Sequence, residues 1–416
     1  MLLEAILRNL IRKGNLRVTN WQGATSHFGD GSGPLVHVKF NTSRASRLIA
    51  FHPDLYVGEC YMNGSLELLH GSIYDLLATG FANIQARGSY HWLHEVANTA
   101  RMITRRVSQQ NPVGTAKSNV AHHYDLSGGL YDLFLDKDRQ YSCAYFEAAN
   151  GTLEEAQLAK KRHLAAKLQI EPGMRVLDIG SGWGGLGLYL AEVCGADVTG
   201  VTLSEEQHKL STERARASAA SGRLRFLLQD YRSLDQQFDR IVSVGMFEHV
   251  GVGHYPEFFS KVRRLLKDDG IAVLHSINRS DGPGFTSAWV RKYIFPGGYI
   301  PALSEVMPHL EREGLYVTDV EILRLHYAET LRHWARRFAK NRERAATIYD
   351  ERFCRMWEFY LAASECAFRF GGMNNSQIQF ARNQHVLPLT RDYVSAAEDR
   401  LRRLEGKTPM LRKVSG

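Results

Sequence analysis

Val176-Leu-Asp-Ile-Gly-Ser-Gly-Trp-Gly-Gly185 separates an apolar run from a helical one. Arg175 to Ile179 reads as a buried strand. Gly180, Gly182, Gly184 and Gly185 break it, and a helical pattern resumes from Leu186 to Val193. Strand, Gly-rich turn and helix, in that order, open a doubly wound α/β sheet. The glycines let backbone N–H groups approach a ligand, and the helix N-terminus adds partial positive charge. A pyrophosphate calls for G-x-G-x-x-G. Here Asp178 precedes Gly180-x-Gly182-x-Gly184, and a carboxylate at that point suits a ligand with positive charge near the turn.

In that respect the turn resembles the first motif of S-adenosylmethionine (AdoMet) methyltransferases. Working toward the C-terminus, Ala196–Ser204 reads as the second strand. Nucleotide-type sites place an acid at its end for the ribose hydroxyls. Here the end is Thr202-Leu203-Ser204, so hydroxyl and amide groups must serve, with Gln207 one helical turn on. Leu224–Tyr231 is the third strand, where Asp230 can accept from an adenine amine and Tyr231 can cover its face. Phe238–His249 is the fourth and carries Glu248 to the carboxyl edge. Gly270–Asn278 is the fifth and brings His275 and Ile277 to the same edge. Tyr316–Leu323 and Gln377–Arg382 complete the sheet.

With 416 residues the chain exceeds a single core, and 44% apolar with 23% charged residues describes a soluble globular protein. No run approaches the roughly 20 apolar residues of a membrane span. Five cysteines, odd in number and without a C-x-x-C pair, argue for a reducing cytoplasm and against a disulfide framework or a zinc site. Glu4 and Arg8 interrupt the first apolar stretch, which excludes a signal peptide. The net charge of +8 favours an anionic partner. No nucleic-acid motif is present, so a membrane surface is the expected one.

Toward the N-terminus, Met1–Val18 reads as an amphipathic helix, either lying on its own core or in a membrane interface. Alternating runs at Asn15–Trp21 and Leu35–Phe40, turns at Gly29–Gly33, Pro53 and Asn63-Gly64, and a helix at Ile73–Ile84 predict a small α+β domain over residues 1–95. Residues 96–116 read as a basic helix and linker, 117–400 as the catalytic domain and 401–416 as a mobile basic tail. Leu153–Leu168 reads as a long polar helix, and His326 to about Phe370 as a helical region with a solvated basic face. Residues 279–313 insert the apolar Ala288-Trp-Val-Arg-Lys-Tyr-Ile-Phe-Pro-Gly-Gly-Tyr-Ile-Pro301, which reads as a lid or an acyl channel. Small polar acceptors need no such channel.

Six motifs in order carry a specific resemblance: Tyr141–Phe146, Leu177–Gly184, Val201–Ser204, Gly245–Val250, Leu274–Ile277 and Lys292–Pro296. Together they resemble cyclopropane-fatty-acyl-phospholipid synthases and the related mycolic acid cyclopropane synthases, over residues 111 to 395. The resemblance implies a class I AdoMet methyltransferase with a Rossmann-like seven-stranded sheet, and methylene transfer to a cis double bond of a membrane phospholipid. It implies AdoMet held by Tyr141, Ser142, Asp178, Gly180, Gly182, Thr202, Leu203, Gln207, Asp230 and Tyr231. It also implies a bound bicarbonate held by Cys143, Glu248, His275, Ile277 (through its backbone) and Tyr327, as base for a carbocation. A homodimer, peripheral at the cytoplasmic face of the membrane, is implied likewise, with the first domain assisting lipid engagement. After His123-Tyr-Asp125 the chain has Leu126-Ser-Gly-Gly-Leu-Tyr131 in place of the family's Gly-Asn-Asp-Phe type turn. That departure leaves acyl preference, and ring closure against simple methyl branching, open.

Overall fold

In the computed structural model the described residues are 2–86 and 128–407. They form two units that are not continuous in sequence. The predicted basic helix and linker at 96–116, and His123–Asp125, lie outside the described residues.

The first unit takes residues 2–86 together with Phe285–Pro296 and Ala328–Met373. Its elements begin with α1 (Leu2–Leu10), β1 (Asn15–Thr19), β2 (Thr25–Phe28) and β3 (Leu35–Phe40). There follow α2 (Ser43–Phe51), α3 (Pro53–Met62), β4 (Leu66–His70) and α4 (Ile73–Ala86). The strand order is β2-β1-β3-β4, with β1 parallel to β3. Val36, Val38 and Phe40 alternate into the core with Leu16, Val18, Leu3 and Ile11, the period-two pattern of a sheet with one buried face.

Two expectations are corrected here. The N-terminal helix ends at Leu10 rather than running to Val18. The Asn83 side chain takes the N–H groups of Arg12 and Lys13 at 2.9 and 3.0 Å, and Gly14 turns at φ +115° into β1. Pro53 does not make a turn; it opens α3, where its missing N–H and fixed φ are no handicap.

The expected lid is also divided. Its first half forms the helix Ala288–Tyr293, whose Trp289 is buried edge-on against Phe359 at 4.6 Å, with its indole N–H on Met62 Sδ at 3.3 Å. Lys292 and Tyr293 both bind Glu59, at 2.6 and 2.9 Å. Through Trp289 and Glu59 this half is anchored in the first unit. The helical region is three helices, His326–Lys340, Arg342–Ile348 and Glu351–Phe370, and from Ala328 onward it also belongs to the first unit.

The second unit holds the seven-stranded sheet, ordered β10-β11-β9-β8-β5-β6-β7. Its strands are β5 (Arg175–Ile179), β6 (Asp197–Thr202), β7 (Leu224–Leu228), β8 (Phe238–Val244), β9 (Leu266–Arg279), β10 (Tyr316–Ile322) and β11 (Met373–Ala381). Strands β5 to β9 pair in parallel, and β10 runs antiparallel to β11. Helices cover both faces: α5 (Leu153–Lys167), α6 (Gly185–Glu192), α7 (Glu205–Ala217), α8 (Tyr255–Leu265), α9 (Leu303–Arg312) and α10 (Asp392–Glu405). Val176, Val198, Val242 and Val273 point to one core, and Leu177, Val201, Ile241 and Leu274 to the other. Burial on both faces is why these strands read as near-continuous apolar runs.

Strand order reverses where β6 and β8 flank β5, so the ligand crevice opens at the carboxyl ends there. The predicted mobile tail is corrected in part: α10 runs to Glu405, Leu401 is buried, and Glu405 takes Arg162 at 2.9 Å. All five cysteines are buried thiols.

Candidate active site

The Gly-rich turn is held in a conformation that side chains resist. Gly180 and Gly184 have φ of +82° and +83°. A Cβ on Gly180 would lie 2.8 Å from that of Met246, and one on Gly184 would lie 2.8 Å from Ser211. The N–H groups of Gly180 and Ser181 both donate to Val201 O at 3.0 Å, folding the turn across β6. Asp178, just before it, is fully buried with no partner on Oδ2 among the described residues. Burial lifts its carboxyl to about 7, against the pull of Lys160.

One cavity at this crevice is lined by every residue that the sequence assigned to the cofactor: Tyr141, Ser142, Asp178, Gly180, Gly182, Thr202, Leu203, Gln207, Asp230 and Tyr231. Thr202 donates its hydroxyl to Gln207 Oε1 at 2.8 Å, which orients the amide. Burial opposes ionisation of Asp230, but Arg232 Nε and Nη2, at 3.0 and 2.7 Å, outweigh it and hold the carboxyl below its usual range. Tyr231 packs edge-on to Phe258 at 5.6 Å. Tyr141 meets Tyr131 edge-on at 5.5 Å, and Tyr131 meets Trp183 at the same distance.

The strap carrying Tyr141 and Ser142 is tied to α5. Lys160 Nζ donates to Gln140 Oε1 at 2.7 Å and Ser142 Oγ at 2.8 Å, and Gln157 Nε2 to Ser142 O at 3.0 Å. Lining residues that the sequence reading missed include Lys160, Arg139, Trp183, Met246, His249 and His254. No signal in the sequence marked Lys160: its helix is polar, and its burial on α5 comes from partners distant in sequence.

Glu248, His275 and Ile277 are brought together where β8 and β9 end. Beyond β8 the chain turns at Gly245, whose N–H donates to His275 O at 2.9 Å, and enters a short 3₁₀ turn, Phe247–His249. Glu248 Oε1 takes the N–H of Ile277 at 2.7 Å, and Tyr299 N–H holds the Glu248 carbonyl at 2.9 Å. The Ile277 N–H is therefore spent on seating Glu248. Glu248 Oε2 and His275 Nε2 are buried without hydrogen-bond partners among the described residues. Burial pushes Glu248 up to about 7. Burial, and then the charges of Lys160, Lys167 and His163, hold His275 well below its usual value, hence neutral. Its Nδ1 faces the Gln377 amide nitrogen at 3.2 Å, which places the ring proton on Nε2.

Cys143 is buried, with Sγ toward Ala144 O at 3.3 Å, and Tyr327 is half-buried in the first turn of its helix. Their segments are joined: Phe146 N–H donates to His326 Nδ1 at 2.9 Å. Tyr145 stacks between His163 at 4.2 Å and His326 at 5.0 Å. Glu248, His275, Ile277, Cys143 and Tyr327 are not lining residues of the cavity, although Gly245, Met246, His249 and Val250 around Glu248 are.

A sequence model described as mycolic acid cyclopropane synthetase matches residues 113–378. The chain belongs to the mycolic acid cyclopropane synthetase family. It is accordingly an AdoMet-dependent methyltransferase. Residues 2–87 match a second model, a domain of unknown function (DUF7884). The chain is 40% identical to cyclopropane-fatty-acyl-phospholipid synthase of Escherichia coli K12, over 79% of this chain and 83% of the relative. It is also 40% identical to a "Probable fatty acid methyltransferase" of Pseudomonas putida, over 66% and 72%. Among solved structures, the mycolic acid cyclopropane synthase CmaA1 complexed with SAH and CTAB is 35% identical, with a TM-score of 0.61 over 64% of this chain and 97% of that one. The class I AdoMet methyltransferase fold expected from the Gly-rich turn is thus the fold found.

Proposed function

We propose that this protein transfers a methylene group from AdoMet to the cis double bond of an unsaturated acyl chain in a membrane phospholipid, closing a cyclopropane ring. The observation that carries this reading is that Glu248 Oε2 and His275 Nε2, on strand ends next to the cavity, are each buried without a hydrogen-bond partner among the described residues. Orphaned buried groups are costly, and they persist where chemistry uses them.

AdoMet fits the cavity by the chemistry of its lining. Asp178 suits a cationic ligand, and Thr202, Gln207 and Asp230 suit a nucleoside. When bound, AdoMet supplies an electrophilic methyl. Glu248 and His275 fit bicarbonate by their chemistry, and Cys143 and Tyr327 join them by the family resemblance. A neutral His275 with its proton on Nε2 donates to an anion, and a carboxyl poised near 7 does so in its protonated form. Bicarbonate there would supply a base beside the developing cation. The chain's own part is to exclude water, to seat Glu248 on Ile277, and to keep His275 neutral so that it does not repel that cation. Cys143 needs no nucleophilic role.

The protein works, in this reading, at the cytoplasmic face of the membrane as a peripheral homodimer. The net charge of +8 supports contact with an anionic surface; the dimer rests on family resemblance alone. No helix among the described residues is long and apolar enough to cross a membrane.

Methyl branching without ring closure is the second reading, favoured by the equal identity to the Pseudomonas putida relative. Lipid analysis of cells expressing the protein tests both. Label from the AdoMet methyl should enter phospholipid acyl chains, and their NMR spectra should carry high-field ring protons. Labelled chains without such protons would assign methyl branching; unlabelled chains would refute lipid methylation.

A further inference from the structure

The cofactor cavity contains two opposite charges that do not neutralise each other. Asp178 and Lys160 both line it, both are wholly buried, and no ion pair joins them among the described residues. Lys160 spends two of its protons on neutral oxygens, Gln140 Oε1 and Ser142 Oγ. The cavity's other cations are accounted for: Asp132 holds Arg139 at 2.7 Å and Asp230 holds Arg232 at 2.7 Å. Burial lowers His249 to about 4, which leaves it neutral. Among the described residues Lys160 has no carboxylate in ion-pair contact, and Asp178 Oδ2 has no donor.

A buried lysine and a buried aspartate, neither in an ion pair among the described residues, fit a ligand that brings one charge of each sign. AdoMet carries a single anionic group, its α-carboxylate, next to its α-ammonium. We propose that Lys160 binds the α-carboxylate of AdoMet while Asp178 receives the ammonium. The inference rests on the reading of this cavity as the AdoMet site.

Electrostatics agree with it. Burial draws Lys160 down to about 8, with Asp136 pulling the other way, and Asp178 stands at about 7. The other titratable neighbours of Lys160 include Lys161, Asp138, Cys143 and His275. Near neutral pH Lys160 is mostly charged and Asp178 only partly ionised, and a zwitterion would hold both partners in their charged forms.

Calorimetric titration of the full chain tests this with two ligands: S-adenosylhomocysteine and its decarboxylated analogue, which differ only in the carboxylate. The wild type should bind S-adenosylhomocysteine about tenfold or more tightly than the analogue, in keeping with a charge-assisted hydrogen bond. Lys160→Met should bind the two alike, and Lys160→Arg should recover part of the preference. Equal affinities in the wild type would overturn the proposal without recourse to any variant. A preference that survives in Lys160→Met would overturn it too, by assigning the carboxylate to another group. If the wild type binds neither ligand, the AdoMet reading itself falls, a result distinct from both.

Discussion

Glu248 is buried, one oxygen on the Ile277 N–H and the other bare, with its carboxyl raised to about 7. Ionising it in the folded state costs more than in the unfolded chain. Between its ordinary value of 4.5 and about 7 the folded protein holds the extra proton, so stability falls as pH rises through that window. Glu248→Gln removes the cost and the chemistry together. At pH 8 the variant should be more stable than wild type by about 1–3 kcal/mol in urea unfolding. It should also lose at least about a hundredfold in methyl transfer to unsaturated phospholipid vesicles. A variant with full activity would remove Glu248 from the reaction. The place of Glu248 at the carboxyl edge of the sheet was legible in the sequence because an apolar strand ends there, while its role rests on the family resemblance. Lys160 was not legible, since a buried lysine and a surface lysine are written alike.

At the scale of elements, the Gly-rich turn was legible because its glycines answer a backbone demand. Gly184 caps α6 at φ +83°, and an added Cβ would lie 2.8 Å from Ser211 Cβ and 2.9 Å from Phe226 Cζ. Gly184→Ala should therefore cost about 1–3 kcal/mol, read as a lower urea midpoint at unchanged slope. Helix α5 was misleading for the opposite reason. Its sequence is polar all round, which suggests solvent, yet Lys160, Lys161, Arg162, His163 and Lys167 are buried. They are held there by partners distant in sequence: Asp138 takes Lys161 at 2.6 Å, Glu405 takes Arg162 at 2.9 Å, and Glu398 and Glu321 take the two nitrogens of His163 at 2.7 and 2.8 Å. Burial opposes the charge on His163, but the two carboxylates win and raise its pKa. A raised histidine contributes stability that is fully present below its unfolded value, near 6.5, and lost as pH climbs through the folded one. The stability gap between wild type and His163→Gln should be widest below pH 6.5 and should narrow with increasing pH. A gap that widens toward alkaline pH would show that the imidazolium is not what α5 depends on.

For the whole molecule, the strand sequence of the second unit could be read in order, because parallel strands buried on both faces leave long apolar runs. The membership of the first unit could not. Trp289 packs with Met62 and Phe359, three positions that only tertiary structure brings together, and nothing local marks 285–296 or 328–373 as belonging there. A property of the whole chain that needs no such knowledge is its charge, +8 with 52 basic and 44 acidic residues. If a bilayer is the working surface, attraction to anionic head groups should contribute and should be screened, since the Debye length shrinks from about 10 Å at 0.1 M salt to about 3 Å at 1 M. The protein should cosediment with vesicles containing phosphatidylglycerol at 0.1 M salt, be largely released at 1 M, and associate weakly with pure phosphatidylcholine at either. Binding that is equal for neutral vesicles and indifferent to salt would show that apolar insertion, and not the excess of basic residues, brings this protein to its lipid.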